Sequence, residues 1–239
     1  MSKSKCIRGV LLDKDGTLLD YWRTWLPINR EIALYSARGE ARLAAELLVL
    51  GGHDPATDTV TPGTVLAAGS HDEIAAVFAK RLGAATPPGL AATIELMFRQ
   101  GGAKHAVLMD DACATLDRLA AMGLVLGVAS NDSIGGLEAS LGRFPGFLDR
   151  FKFLVGCDSG HGTKPDPGMA LAFYRATGFD PAEIAVVGDA VHDLEMGRRA
   201  GAGLKVGVLG GTSERSDLAP FADIVLDRLG ELPAALAAL

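Results

Sequence analysis

Apolar and polar positions along this chain follow two different rhythms. Residues 7–12 (Ile-Arg-Gly-Val-Leu-Leu) form a short apolar run that stops at Asp13, the pattern of a strand ending in a turn. From 22 to about 100, short β-branched runs disappear and Ala, Leu, Glu and Arg dominate, a composition that favours helix. Helices are expected at 25–37, 40–50, 72–82 and 89–99, punctuated by Gly51-Gly52, Thr61-Pro62-Gly63, Pro87-Pro88-Gly89 and Gly101-Gly102. Beyond 106 the rhythm alternates. Helices are expected at 111–122, 133–141, 167–177, 193–200 and 229–238, with strands at 124–129, 151–155, 184–187, 204–208 and 224–226. Pro167 stands in the first turn of its helix, where a missing N–H costs nothing.

Continuous apolar strands alternating with helices indicate an α/β fold, a parallel sheet covered on both faces. The first strand belongs to that sheet, yet its next partner comes only after residue 120. Connections in α/β units are short, so the helical block at 21–105 reads as an inserted domain, with 1–20 and 106–239 forming the core. Ligands of open α/β sheets sit at the carboxyl ends of the strands, where such an insertion would lie as a cap.

Composition narrows the function. With 23 Lys+Arg against 29 Asp+Glu, the net charge of −6 argues against a nucleic-acid-binding face. No apolar run reaches the roughly 18 residues needed to span a bilayer, and Arg8 and Asp13 break any signal-peptide pattern near the start. Cys6, Cys113 and Cys157 are odd in number and far apart, which suits a reducing, cytoplasmic compartment without disulfides.

Four polar clusters fall just after expected strands: Asp13-Lys14-Asp15-Gly16-Thr17, Ser130-Asn131, Lys164-Pro165, and Gly188-Asp189 with Asp193. Folding would gather them at one edge of the sheet. Gly16 permits a turn that brings Asp13 and Asp15 together, and like charges held close need a cation. A solvated acidic turn is the plain alternative. The richer reading is a carboxylate nucleophile with an acid/base, balanced by a divalent metal; oxygen-only ligation suits Mg²⁺. Asp189 and Asp193 read either as helix N-terminal aspartates or as further metal ligands. Ser130 and Asn131 can cap a helix or present a hydroxyl and N–H groups to phosphate. Lys164 is a solvent-facing lysine or a point charge on phosphate and nucleophile.

Taken together, Asp13-x-Asp15-Gly16-Thr17, Ser130-Asn131, Lys164-Pro165 and Gly188-Asp189-x-x-x-Asp193 resemble, in order and spacing, the four motifs of the haloacid dehalogenase-like hydrolases. The insertion resembles the helical cap of their phosphoglycolate phosphatase and β-phosphoglucomutase branch. The resemblance implies a Rossmann-like parallel sheet and a Mg²⁺-dependent phosphatase acting on a small phosphorylated metabolite, phosphoglycolate or a similar one. On it, Asp13 is the nucleophile that forms an aspartyl-phosphate, and Asp15 protonates the leaving alkoxide and then deprotonates water. The carboxylates of Asp13 and Asp189 and the main-chain carbonyl of Asp15 hold Mg²⁺, and Asp193 binds metal waters or orients Lys164. Ser130 and Asn131 bind phosphoryl oxygens. A sugar phosphomutase shares this whole set and is the alternative; a non-catalytic binding protein is a third.

Two positions depart from that branch. Leu108-Met109-Asp110-Asp111 stands where a Pro-Gly turn is common, and Lys14 stands where an apolar residue is common. Burying an unpaired ammonium is expensive, so Lys14 is expected to reach solvent, a cap carboxylate or an anionic group of the substrate. Gly201-Ala202-Gly203 follows an expected helix, not a strand, so it is no dinucleotide fingerprint, and Gly162-Thr163-Lys164 has the wrong order for a P-loop. Asp15 supplies an acid/base that haloacid dehalogenation does not need. The five histidines show no ligand spacing, and Trp22 and Trp25 are expected to pack the cap or its hinge, with one of them lining the substrate pocket as the alternative.

Overall fold

The computed structural model describes residues 6–239. Among them, the strands β1 (Gly9–Leu12), β4 (Val125–Ala129), β5 (Phe153–Val155), β6 (Ile184–Gly188), β7 (Leu204–Val208) and β8 (Ile224–Leu226) form one sheet in the order β5-β4-β1-β6-β7-β8. Every pairing is parallel, with Gly9 opposite both Val125 and Ile184. Between β1 and β4 the chain forms α1 (Tyr21–Ser36), α2 (Ala41–Gly51), the two-stranded ribbon β2 (His53–Asp54) and β3 (Thr59–Val60), α3 (Val65–Ala68), α4 (His71–Leu82), α5 (Leu90–His105) and α6 (Ala112–Ala121). The remaining helices are α7 (Ile134–Gly142), α8 (Gly168–Thr177), α9 (Val191–Arg199), α10 (Arg215–Leu218) and α11 (Leu232–Ala237).

Alternate residues of β1 bury into different cores, as the two-residue period of a strand requires. Val10 and Leu12 join Leu116 and Leu119 of α6, while Leu11 joins Phe173 of α8 and Met196 of α9. Helices therefore cover both faces of the sheet. Phe173 also explains two strand glycines. A Cβ on Gly9 would lie 3.2 Å from its ring, and one on Gly127 would lie 2.9 Å from it. The chain order reverses beside β1, so the crevice between the carboxyl ends of β1 and β6 is the topological switch point.

In the inserted segment, α1 packs against α2 and α5, and α4 against α2 and α5. Helix α1 starts at Tyr21, earlier than the pattern predicts, because the Asp20 side chain accepts from Arg23 N at 3.0 Å and caps it. Pro27 sits inside this helix on its exposed side. The expected break at Gly101-Gly102 is corrected: α5 runs through both glycines to His105. They serve close packing instead. A Cβ on Gly101 would meet Ile28 Cδ1 of α1 at 2.7 Å, and one on Gly102 would meet Ser140 Cβ of α7 at 3.1 Å. The cost of glycine in a helix, about 1 kcal/mol, is outweighed by the close approach it allows. The ribbon, α3 and α10 are too short to leave a periodic signal in the sequence. Among the described residues, no helix is long and apolar enough to cross a membrane.

Candidate active site

The site is built on the ends of β1 and β6. Asp13 follows Leu12, and its backbone N–H donates to Val187 O at 2.8 Å, which ties the first loop to β6. The chain then turns at Gly16, with φ +81; Leu18 and Leu19 both donate N–H groups to Lys14 O at 2.8 Å. A Cβ at Gly16 would come within 2.6 Å of the Asp189 carboxylate, so glycine is required by both conformation and space. Thr17 is fully buried beneath the turn, and its hydroxyl has no hydrogen-bond partner among the described residues.

One cavity of about 80 Å³ brings together Asp13, Asp15, Ser130, Asn131 and Asp189. Lys164 reaches the same point from below: its ammonium donates to Asp13 Oδ1 and lies 2.7 Å from Asp193 Oδ1. Asp193 Oδ2 in turn accepts from Ala190 N at 3.1 Å. Carboxylate oxygens of Asp13, Asp189 and Asp193 all lie within 4.8 Å of one another and could hold a metal ion. Asp189 fits that role closely, because its carboxylate is buried without a hydrogen bond or ion pair among the described residues. Three buried carboxylates against one ammonium leave an excess of negative charge. Hard oxygen donors with that excess suit Mg²⁺.

The electrostatics follow from burial. Desolvation pushes Asp13 up to about 7, with Asp193 and Asp15 adding to the rise and Lys164 opposing it. Asp189 is held well above the ordinary carboxylate range by burial, then by Asp13 and Asp193. For Asp193, burial is overcome by Lys164 and His192, and its pKa falls. Burial also raises Asp15, against the pull of Lys14.

Ser130 and Asn131 lie where expected, at the end of β4, but their side chains are engaged with the protein. Ser130 Oγ accepts from Asp132 N at 3.1 Å. Asn131 clamps the lysine loop: Oδ1 accepts from Lys164 N at 2.8 Å, and Nδ2 donates to Lys164 O at 3.3 Å and Ala68 O at 3.2 Å.

Lys14 differs most from expectation. Its exposure is 0%, and it does not line the cavity. Its ammonium lies 3.0 Å from Asp15 Oδ2 and 2.9 Å from Asp132 Oδ2, and 4.5 Å from the centre of the Trp25 ring. Asp15 and Asp132 thus take the place of the solvent, cap carboxylate or substrate anion expected for it. Burial alone would raise Asp132, but Lys14 and His71 hold it down at about 2. Asp15 is gripped on both oxygens, Trp25 Nε1 donating to Oδ1 at 2.5 Å. Sequence reasoning missed Asp132, His71 and this role of Trp25. The available signal was a charge beside each of two motifs, Lys14 in the first and Asp132 directly after Ser130-Asn131.

A family model described as haloacid dehalogenase-like hydrolase matches residues 7–201. The chain belongs to that hydrolase family. It is 27% identical over 195 residues to N-acetylmuramic acid 6-phosphate phosphatase of Pseudomonas aeruginosa, covering 82% of this chain and 79% of that protein. It is 26% identical over 201 residues to phosphoglycolate phosphatase of Thiobacillus denitrificans, covering 82% and 80% respectively. The crystal structure of CbbY from Rhodobacter sphaeroides in complex with phosphate shares the fold, with a TM-score of 0.72 at 22% identity over 98% of this chain and 100% of that one.

Proposed function

We propose that this protein is a Mg²⁺-dependent phosphatase that hydrolyses a small phosphomonoester through an aspartyl-phosphate on Asp13. The observation that carries the reading is the buried meeting of Asp13, Lys164 and Asp189, the last without a hydrogen bond or ion pair among the described residues, at the switch point of the sheet. Both named relatives are phosphatases, which supports it. A cation beside Asp13 and Asp189 would keep both ionised and neutralise charge on the phosphoryl oxygens.

In this reading Asp13 attacks phosphorus in line, and the bond to the leaving oxygen breaks. Asp15, whose burial favours the protonated form, gives its proton to that oxygen. Asp15 then takes a proton from the water that attacks the aspartyl-phosphate, and inorganic phosphate leaves. Lys164 supplies fixed positive charge, and Asn131 holds the Lys164 backbone in place. Residues 21–105 act as the cap over a core of 1–20 and 106–239, so that closure excludes water during transfer.

Phosphate release from p-nitrophenyl phosphate, with and without EDTA, tests this. Release that stops with EDTA and returns with Mg²⁺ is expected. Release unaffected by EDTA contradicts the metal, and no release at all contradicts the phosphatase.

A further inference from the structure

The roof over the catalytic carboxylates comes from the inserted segment, and its polar atoms are already engaged. Tyr21 donates its hydroxyl to Leu66 O at 2.7 Å, and the Trp25 indole donates to Asp15. His71 Nε2 lies 3.3 Å from Asp132 Oδ1, and its ring stacks on Phe98 with centroids 5.0 Å apart. Phe98 meets Trp25 at 5.5 Å, and Ile74 adds a further apolar surface. Among the described residues lining this cavity there is neither Lys nor Arg. The ammonium groups closest to it are committed, Lys14 to Asp15 and Asp132 and Lys164 to Asp13 and Asp193. His192 turns onto Asp193, with Nε2 3.6 Å from Oδ1.

An adjoining cavity of about 520 Å³ shares Ala68, Gly69, Asn131 and His192 with the first. Its walls carry Glu73 and Asp217, which accept backbone N–H groups at helix starts, and Glu195, which is paired with Arg198 and Arg199, with Lys164 as the one Lys or Arg among the described lining residues. A substrate tail that leaves the phosphoryl pocket therefore meets an apolar aromatic roof or a wall whose described lining offers no free Lys or Arg. A buried carboxylate without a counter-charge is costly, and carboxylates beside it raise the cost. An apolar face gains from burial against aromatic rings.

We infer that the leaving group of the substrate carries no carboxylate and presents an apolar face to Trp25, Ile74 and Phe98, and that carboxylated phosphomonoesters such as phosphoglycolate are discriminated against. The inference rests on the phosphatase reading above. It assigns selectivity to the apolar aromatic roof and to the lack of a free Lys or Arg among the described lining residues, the side chains that most strongly offset a carboxylate.

Two small esters that differ chiefly in charge test it: isobutyl phosphate and phosphoglycolate. The kcat/KM for isobutyl phosphate should exceed that for phosphoglycolate by at least about tenfold, the equivalent of ~1.4 kcal/mol. Calorimetric binding of the matching phosphonates to the wild-type protein with Mg²⁺ gives a readout free of chemistry. There 3-methylbutylphosphonate should bind at least about tenfold more tightly than 3-phosphonopropionate. Equal or tighter binding of the carboxylated ligand overturns the inference. The expected ranking of phosphonates with no hydrolysis of any ester overturns the phosphatase reading and leaves the charge preference standing.

Discussion

Replacing Lys14 with methionine should destabilise the protein far more than an ordinary lysine substitution. Methionine keeps most of the length of the side chain and removes the charge. It leaves Asp132 buried with only His71 at 3.3 Å as a charge partner, where it had Lys14 at 2.9 Å. It also takes the counter-charge from Asp15 Oδ2 and the cation from the Trp25 ring. Removing one member of a buried ion pair costs about 3–5 kcal/mol, because the other charge is left uncompensated. That is a large share of a typical stability of about 5–15 kcal/mol. At roughly 2–4 °C per kcal/mol for a chain of this size, the midpoint of thermal unfolding should fall by about 6–20 °C. Urea unfolding followed by circular dichroism measures the same loss. The second arm is the double variant Lys14→Met/Asp132→Asn. Asparagine can still accept from Ser133 N, as Asp132 Oδ1 does at 2.8 Å, and brings no charge. Most of the loss should be recovered, a coupling that a double-mutant cycle reads directly. A single variant within about 1 kcal/mol of wild type, or a double variant worse than the single, would refute the ion-pair account. Since Lys14 is committed to Asp15, its loss should slow neutral and carboxylated substrates alike.

Other consequences follow from the same geometry. Asp189→Asn should raise the Mg²⁺ concentration needed for half-maximal activity by about tenfold or more, while the metal-free protein becomes no less stable, since a buried carboxyl with no hydrogen bond or ion pair among the described residues gives way to a neutral amide of the same shape; an unchanged Mg²⁺ titration places the metal elsewhere. Asn131→Ala should lower kcat/KM by about tenfold or more, because buried groups around Lys164 lose their partner at about 1–3 kcal/mol each; unaltered kinetics would deny the clamp. Acid titration should show Asp132: its folded pKa of about 2 lies below the ordinary 3.8. Its contribution is therefore complete above pH ~4 and lost as pH falls through ~2, worth about 2 kcal/mol. Comparing the acid unfolding of wild type and Asp132→Asn measures it, and identical curves would contradict it.

The parallel sheet was legible in the sequence because its inner strands β1, β4 and β6 are buried on both faces and read as unbroken apolar runs, and the others follow at the same spacing. The motif residues were legible because each follows such a run, and strand ends in this topology converge. Gly101-Gly102 misled because a glycine pair marks a loop as readily as a close helix contact, and only the position of Ile28 and Ser140 decides which. Lys14 misled for a related reason. Its partner Asp132 is 118 residues away in sequence, so the pairing shows only as an extra charge beside each of two separate motifs. The roof of the site was the least legible part. Tyr21, Trp25, His71 and Phe98 come from three helices with ordinary amphipathic patterns, and their convergence over Asp15 depends on how α1, α4 and α5 pack.

The central claim is that Asp13 carries the phosphoryl group between substrate and water. Acid quenching during turnover of isobutyl phosphate, followed by borohydride reduction and peptide mass spectrometry, tests it directly, because borohydride reduces an aspartyl-phosphate to homoserine. The account predicts homoserine at position 13, formed only when both substrate and Mg²⁺ are present. Steady turnover with position 13 unmodified and the reduced residue at another carboxylate would contradict it.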